Sequence, residues 1–205
     1  MTTALFMIGA TVAAVLLGLL LLTLLFPPLR IWPTPGPGSW QGYVFWPLFR
    51  SLNVLCFVMA MADGTHFLGV PAWSRLAAIT LLALSIALFI YSFWILGRDN
   101  SYGAQDGLVT NGIYRWTRNP QNLMLIIVYG CLAVAADSAP TYVLCAAMIA
   151  VYFLMVLAEE PWLEAAYGEP YRRYRNRVPR FFNWRRAAIR ARGVVAQRRH
   201  ESGKC

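Results

Sequence analysis

The chain has 205 residues, of which 59% are hydrophobic and 13% charged, and its formal net charge is +9. A soluble domain carries about 25% charged residues, so this composition excludes an ordinary water-soluble protein and makes lipid the expected solvent. The length fits one domain.

Taken in chain order, the first element is an uncharged apolar run from Ala4 to Phe26. It lacks a basic leading region and a small-residue cleavage site, and it is too long for a secretory leader, so it reads as a membrane span. Pro27 to Gly42 follows as a Pro/Gly-rich connector at the membrane surface. The second apolar run, 43–62, is interrupted only by Arg50 and Asn53, and the third covers 75–97. The stretch from Leu123 to Ala158 is long enough for two helices and breaks near Asp137 and Pro140. A span needs roughly 20 apolar residues. Five spans are therefore expected, at 4–26, 43–62, 75–97, 121–136 and 140–159, the fourth being short. The fold class is an all-α polytopic bundle of about five transmembrane helices with short cytoplasmic helices at the C-terminal end.

Between the third and fourth spans lies a long polar interval. Gly107, Asn111 and Gly112 mark turns there, and Pro120 suits the first turn of the next helix. After the fifth span, Pro161 is expected to start a short helix that Gly168 stops, and a second short helix runs from Pro170 to Arg177. Tyr171 and Tyr174, three apart, share a face of it.

Twelve of the 18 Lys and Arg residues lie after Pro161. The positive-inside rule puts that end in the cytoplasm. Five spans then place the N-terminus outside, in a multi-pass cell membrane (inner or plasma membrane) protein. The 98–118 loop, with Arg98, Arg115 and Arg118, falls inside. The loops at 63–74 and 137–139 carry no Arg or Lys and fall outside. The late run Arg185, Arg186, Arg190, Arg192, Arg198 and Arg199 reads as a juxtamembrane tail drawn to anionic headgroups. No nucleic-acid fold signature accompanies it, so nucleic acid is not an expected partner. Cys56, Cys131 and Cys145 read as small core residues. Cys205 is the last residue and forms no prenylation box. His66 and His200 have no partner cluster, so no metal site is expected. The division expected is 1–96 for three N-terminal spans, 97–182 for a functional core and 183–205 for a basic tail.

Glu159 and Glu160 close an apolar run at the depth where membrane meets cytosol. Adjacent helical residues point about 100° apart, so both acids cannot easily take the same wet direction. Acids near spans tend to face the bundle and pair there. Arg118, on the same side, is the natural counter-charge. Arg50 and Asn53 have two readings: interhelical hydrogen bonding, which is preferred, or contact with a substrate headgroup.

The run Leu108-Val109-Thr110-Asn111-Gly112-Ile113-Tyr114-Arg115-Trp116-Thr117-Arg118-Asn119-Pro120 precedes a helical hairpin. Then come Glu159-Glu160, Leu163, Tyr167-Gly168, Tyr171, Tyr174 and Val178-Pro179-Arg180. Over about residues 97–182 this pattern resembles the isoprenylcysteine carboxyl methyltransferase / phospholipid methyltransferase superfamily. The resemblance implies a membrane-embedded S-adenosylmethionine-dependent methyltransferase. Its cofactor would lie in a pocket closed by the loop, the hairpin and the C-terminal helices. The family's Arg-His-Pro-x-Tyr motif aligns with Arg118 to Asn122. Asn119 stands where His is common, Asn122 where Tyr is common, and Met124 where a glycine often follows. The Glu pair maps onto Glu159 and Glu160.

The implied catalytic set is Glu159, Glu160 and Arg118. The implied cofactor contacts are Tyr114, Arg118, Asn119, Pro120, Asn122, Glu159, Glu160, Tyr171 and Tyr174. Arg50, Asn53 and Arg180 are the substrate candidates. A planar guanidinium at Arg118 matches the two oxygens of the cofactor's carboxylate, and a glutamate suits its ribose diol or ammonium. A glutamate against the sulfonium would stabilise a charge that vanishes in the transition state. The three tyrosines could pack on adenine or serve as interfacial anchors, and Arg180 could bind a substrate anion or a lipid headgroup. The expected acceptor is lipophilic and arrives from the bilayer: an isoprenylcysteine-like carboxylate or a phospholipid amine. With no His in the inner loops to take a proton, a carboxylate or an already neutral amine is mildly favoured. The competing readings are a nicotinamide-dependent membrane reductase and a non-enzymatic protein of the same fold.

Overall fold

The computed structural model describes residues 1–36, 38–97 and 107–182. Six α-helices run through them: α1 (Thr2–Leu25), α2 (Trp40–Ala62), α3 (Ala72–Leu96), α4 (Pro120–Ala136), α5 (Ala139–Tyr167) and α6 (Glu169–Arg177). Two short 3₁₀ turns, Pro27–Leu29 and Gly112–Arg115, sit in the connectors. There is no strand among the described residues. The chain is thus a multi-pass helical membrane protein. α1, α2, α3 and α5 are long and apolar enough to cross a bilayer, whereas α4 has 17 residues. At 1.5 Å per residue α4 spans about 26 Å, slightly less than a hydrocarbon core of about 30 Å.

The helix ends follow from local chemistry. Ser39 caps α2 by accepting the Gly42 N–H at 3.3 Å, and Ser138 caps α5 by accepting the Thr141 N–H at 3.4 Å. Pro120 opens α4, where its missing N–H costs nothing. One expected boundary is corrected. Pro161 does not begin a separate helix: α5 continues through it to Tyr167. A proline in a helix removes one backbone bond, and α5 runs on for six more residues without it. The helix from 169 to 177 is present as expected.

α5 is the central element. It packs against α1, α2, α4 and the short α6, while α3 packs mainly against α4. Leu16, Leu20, Leu52, Leu144, Met148 and Val151 are wholly buried along these seams. Gly9 lets α1 approach α5 closely, since a Cβ there would stand 2.9 Å from Leu144 Cδ1.

At one end of the bundle, Asp137 ties the 63–70 loop to the α4–α5 turn. It has a left-handed backbone (φ 53°) and is fully buried. Its carboxylate accepts the Leu68 N–H at 3.0 Å and the Val70 N–H at 2.9 Å. Burial alone would raise this carboxyl, but the N–H groups of Val70 and Leu68 and the Tyr142 hydroxyl carry it net below its ordinary value. A lowered folded-state pKa means stability present above the ordinary carboxylate pKa of about 3.9 and lost as pH falls through the folded value. Asp137→Asn should lower the thermal midpoint by several degrees at pH 7. The gap to wild type should shrink below about pH 4, measured by scanning fluorimetry across pH.

Candidate functional site

At the opposite end of the bundle, six pieces of chain converge: the connector at Trp32, the start of α2, the end of α3, the 107–119 segment, the start of α4, and the end of α5 with α6. They enclose a cavity of about 250 Å³. Counting 20 residues from Ala139 to Glu159 at 1.5 Å each gives about 30 Å. That is where the hydrocarbon ends, so α5 delivers its acids at the membrane border.

The cavity lining is of two kinds. Trp32, Trp46, Phe49, Phe89 and Phe93 supply aromatic rings. Arg118, Asn119, Gln121, Asn122, Glu159 and the tyrosines 114, 171 and 174 supply its polar part. Tyr171 and Tyr174 meet edge to face at 6.4 Å between ring centroids.

Behind the polar part is a charge cluster. Arg118 Nη2 lies 3.0 Å from Glu160 Oε1. Arg180 clasps the same carboxylate with Nε at 2.8 Å and Nη2 at 2.5 Å. The Arg118 and Glu160 side chains are 8% and 11% exposed, the Arg180 side chain 41%. Arg118 Nη1 also donates to the Tyr171 hydroxyl at 3.3 Å. Two nitrogens of Arg118 are thus committed within the protein, and its buried Nε has no partner among the described residues.

Glu159 is placed differently from its neighbour. It lines the cavity and makes no ion pair or side-chain hydrogen bond among the described residues. It is the one carboxylate on the cavity wall among those residues. The 100° step between adjacent helical residues separates the two roles: Glu160 turns to the arginines and Glu159 to the cavity.

The tyrosines act as neutral groups. Burial, then Glu160, pushes the Tyr171 hydroxyl up to about 12, with Arg118 pulling the other way. Burial raises Tyr174, and burial followed by Glu159 raises Tyr114. None of them is a proton acceptor near pH 7. Tyr174 donates its hydroxyl to the Tyr114 carbonyl at 2.7 Å, fixing α6 on the loop.

A backbone clasp holds the cluster. The Arg118 N–H donates to the Pro179 carbonyl at 3.0 Å. Thr117 Oγ1 and Asn119 Nδ2 both donate to the Arg180 carbonyl, at 3.0 and 3.2 Å. Asn119 therefore fastens the C-terminal segment while also facing the cavity. Gly112, with φ 54°, permits the loop's close approach to α3, because a Cβ there would meet Ile95 at 2.8 Å. Thr117→Val should cost about 1 kcal/mol, one net hydrogen bond. It should also weaken ligand binding, because Arg180 loses its backbone anchor; denaturation midpoints and ligand titration together check this.

Of the candidates read from the sequence, the structure gathers Tyr114, Arg118, Asn119, Asn122, Glu159, Tyr171 and Tyr174 on one wall, with Glu160 and Arg180 directly behind. Pro120 is buried at the start of α4. Asn53 lies outside the cavity lining: its amide donates to the Phe49 carbonyl at 2.6 Å and its oxygen accepts the Tyr129 hydroxyl, bridging α2 and α4. Arg50 also lies outside, exposed on α2, with its guanidinium 5.5 Å from the Trp46 ring centroid. Arg98 and the tail after residue 182 lie outside the described residues. Sequence reasoning missed Thr117, whose partner is 63 residues away, and Trp32. Nothing local separates a cavity tryptophan from an interfacial one.

Residues 73–170 match the family model of phospholipid methyltransferases. Over this segment the chain is similar to the phospholipid methyltransferase family. The family is one of membrane methyltransferases, in agreement with the resemblance read from the loop, the hairpin and the Glu pair. No curated protein and no solved structure matches the chain. The matched segment supplies Arg118, Glu159 and Glu160. Trp32, Trp46 and Phe49 come from before it, and Tyr171, Tyr174 and Arg180 from after it.

Proposed function

We propose that the chain is an S-adenosylmethionine-dependent methyltransferase whose acceptor is the amine of a membrane phospholipid. The observation that carries this reading is the cavity, whose lining combines one partnerless carboxylate with polar and aromatic side chains.

The residues present fit the cofactor. Glu159 offers an acceptor-only group for its ammonium or ribose diol. Arg118, with an unsatisfied buried Nε, offers positive charge for its carboxylate. The tyrosines offer flat faces and neutral hydroxyls to the adenine. When bound, the cofactor supplies an activated methyl group, and the protein supplies position and field.

An amine acceptor must shed a proton before it can act as a nucleophile. Glu159 is the group at hand: its carboxylate opens to the cavity and no arginine neutralises it. That argues for an amine over an isoprenylcysteine-like acid. Arg118 and Arg180 hold the Glu160 carboxylate in place, so Glu160 orients the wall while Glu159 works. Arg30, Arg115, Arg118 and the arginines of α6 all sit at the cavity end of the bundle. The positive-inside rule then supports a cytoplasmic site, an outer N-terminus and a cell-membrane location. Arg75 is the exception at the other end, held by the Ala135 carbonyl at 2.9 Å and by His66.

The test is transfer of a labelled methyl group by the purified protein in nanodiscs. Label in phosphatidylethanolamine supports the proposal. Label only in an added isoprenylcysteine analogue would move the acceptor to the carboxylate class.

A further inference from the structure

A polar chain inside the spans ends on the cavity wall, and none of the roles above uses it. Tyr152 lines the cavity from α5. It stands seven residues before Glu159, on the same helical stripe and about 10 Å further into the bundle. Its ring meets Phe49, another lining residue, edge to face at 5.7 Å. Tyr129 of α4 and Asn53 of α2 continue the chain and do not line the cavity. The Tyr129 and Tyr152 rings are 5.9 Å apart, and their hydroxyls are hydrogen-bonded to each other. The Tyr129 hydroxyl also meets Asn53 Oδ1, and Asn53 Nδ2 meets the Phe49 carbonyl at 2.6 Å. Both tyrosines are buried.

The direction of each bond follows from counting protons. The Phe49 carbonyl can only accept, so Asn53 turns its NH2 to it and its oxygen to Tyr129. That oxygen can only accept, so the Tyr129 hydroxyl spends its one proton there. Toward Tyr152 the Tyr129 oxygen then has lone pairs alone, and Tyr152 must donate. The Tyr152 proton is thereby committed within the protein. What its hydroxyl has left for the cavity is a lone pair.

We propose that Tyr152 is a ligand-binding residue that accepts a hydrogen bond from an N–H or O–H of the bound molecule. Tyr129 and Asn53 are positioning residues that hold its hydroxyl in the accepting state. This rests on the methyltransferase reading above and adds a polarity requirement to the site. S-adenosylmethionine and a lipid amine both carry such donors, so either can be the source. A ligand that brings an acceptor to this place would set lone pair against lone pair, with no water to separate them. Asn53 and Tyr129 already complete the tie between α2 and α4. The third member, Tyr152, carries the chain to the cavity, and polar groups within spans are expensive to keep.

The experiment compares wild type, Tyr152→Phe, Tyr129→Phe and the double variant in lipid nanodiscs. S-adenosylmethionine is titrated by calorimetry. Phosphatidylethanolamine retention is read by native mass spectrometry, with phosphatidylcholine as the lipid whose headgroup has no N–H. Thermal midpoints are taken alongside. Tyr152→Phe removes one oxygen and keeps the ring, so it should melt near wild type. It should lose about tenfold in affinity for one of the two ligands, the value of one hydrogen bond. A loss for S-adenosylmethionine assigns the donor to the cofactor. A loss for phosphatidylethanolamine, with phosphatidylcholine unchanged, assigns it to the methyl acceptor. Tyr129→Phe should weaken the same ligand by less, because Tyr152 keeps its oxygen and loses only its direction. The double variant should match Tyr152→Phe, since Tyr129 acts through it. Wild-type affinity of Tyr152→Phe for both ligands would overturn the proposal. So would losses that add in the double variant, an equal loss for phosphatidylcholine, or a Tyr129→Phe protein that melts early with its affinities intact. A wild type that ignores S-adenosylmethionine, but whose phosphatidylethanolamine binding depends on Tyr152, would remove the methyl-transfer reading and keep the Tyr152 contact.

Discussion

Glu160→Gln should destabilise the protein by about 3–5 kcal/mol and abolish cofactor binding in the same step. The carboxylate sits between Arg118 and Arg180 at hydrogen-bonding distance from both. Neutralising it strands the Arg118 guanidinium, which is 8% exposed. Removing one member of a buried pair is far worse than replacing the whole pair, because the survivor stays charged without a partner. The lower end of the range is expected, since Arg180 is 41% exposed and can turn to water. Glu160→Met combined with Arg118→Met should regain most of the lost stability without regaining binding. Thermal midpoints in detergent, read beside ligand titrations, check both statements.

Glu159→Gln should do the opposite. Its side chain supports nothing among the described residues, so the thermal midpoint should stay at the wild-type value. Cofactor affinity should fall by roughly tenfold to a hundredfold, corresponding to about 1.5–3 kcal/mol for a hydrogen bond to a charged group. Methyl transfer should fall further than binding, because the amide cannot take the acceptor's proton. A Glu159→Gln protein that melts early would show that the carboxylate holds the fold. One that binds and turns over normally would remove Glu159 from the site. The two adjacent acids thus separate by readout: Glu160 in stability and binding together, Glu159 in binding and turnover alone.

Much of this architecture is legible in the amino-acid sequence. Uncharged runs of about twenty residues have one solution in lipid, so the four long helices can be read directly, and the expected short fourth run forms the 17-residue apolar α4. The pairing of Arg118 with a glutamate is also legible, because an acid and a base at one membrane border must find each other. Other features are not. Pro161 looks like a helix start because proline suits a first turn, yet α5 runs through it to Tyr167. Which of the two acids meets the arginines depends on the rotation of α5 in the bundle, and that is set by its neighbours. Thr117 and Asn119 act on the Arg180 carbonyl across more than sixty residues, and backbone acceptors leave no trace in a sequence. Arg50 and Asn53 read alike as polar interruptions of one span. Their three-residue spacing conceals that Asn53 reaches α4 while Arg50 leans over Trp46.

The most direct test of the central claim is a calorimetric titration of S-adenosylmethionine, and separately its demethylated product, into the protein in lipid nanodiscs, with Glu159→Gln alongside. Micromolar binding of both ligands by the wild type, lost in a Glu159→Gln protein that melts normally, is the predicted result. A folded wild type that binds neither ligand would contradict the assignment of the cavity to that cofactor.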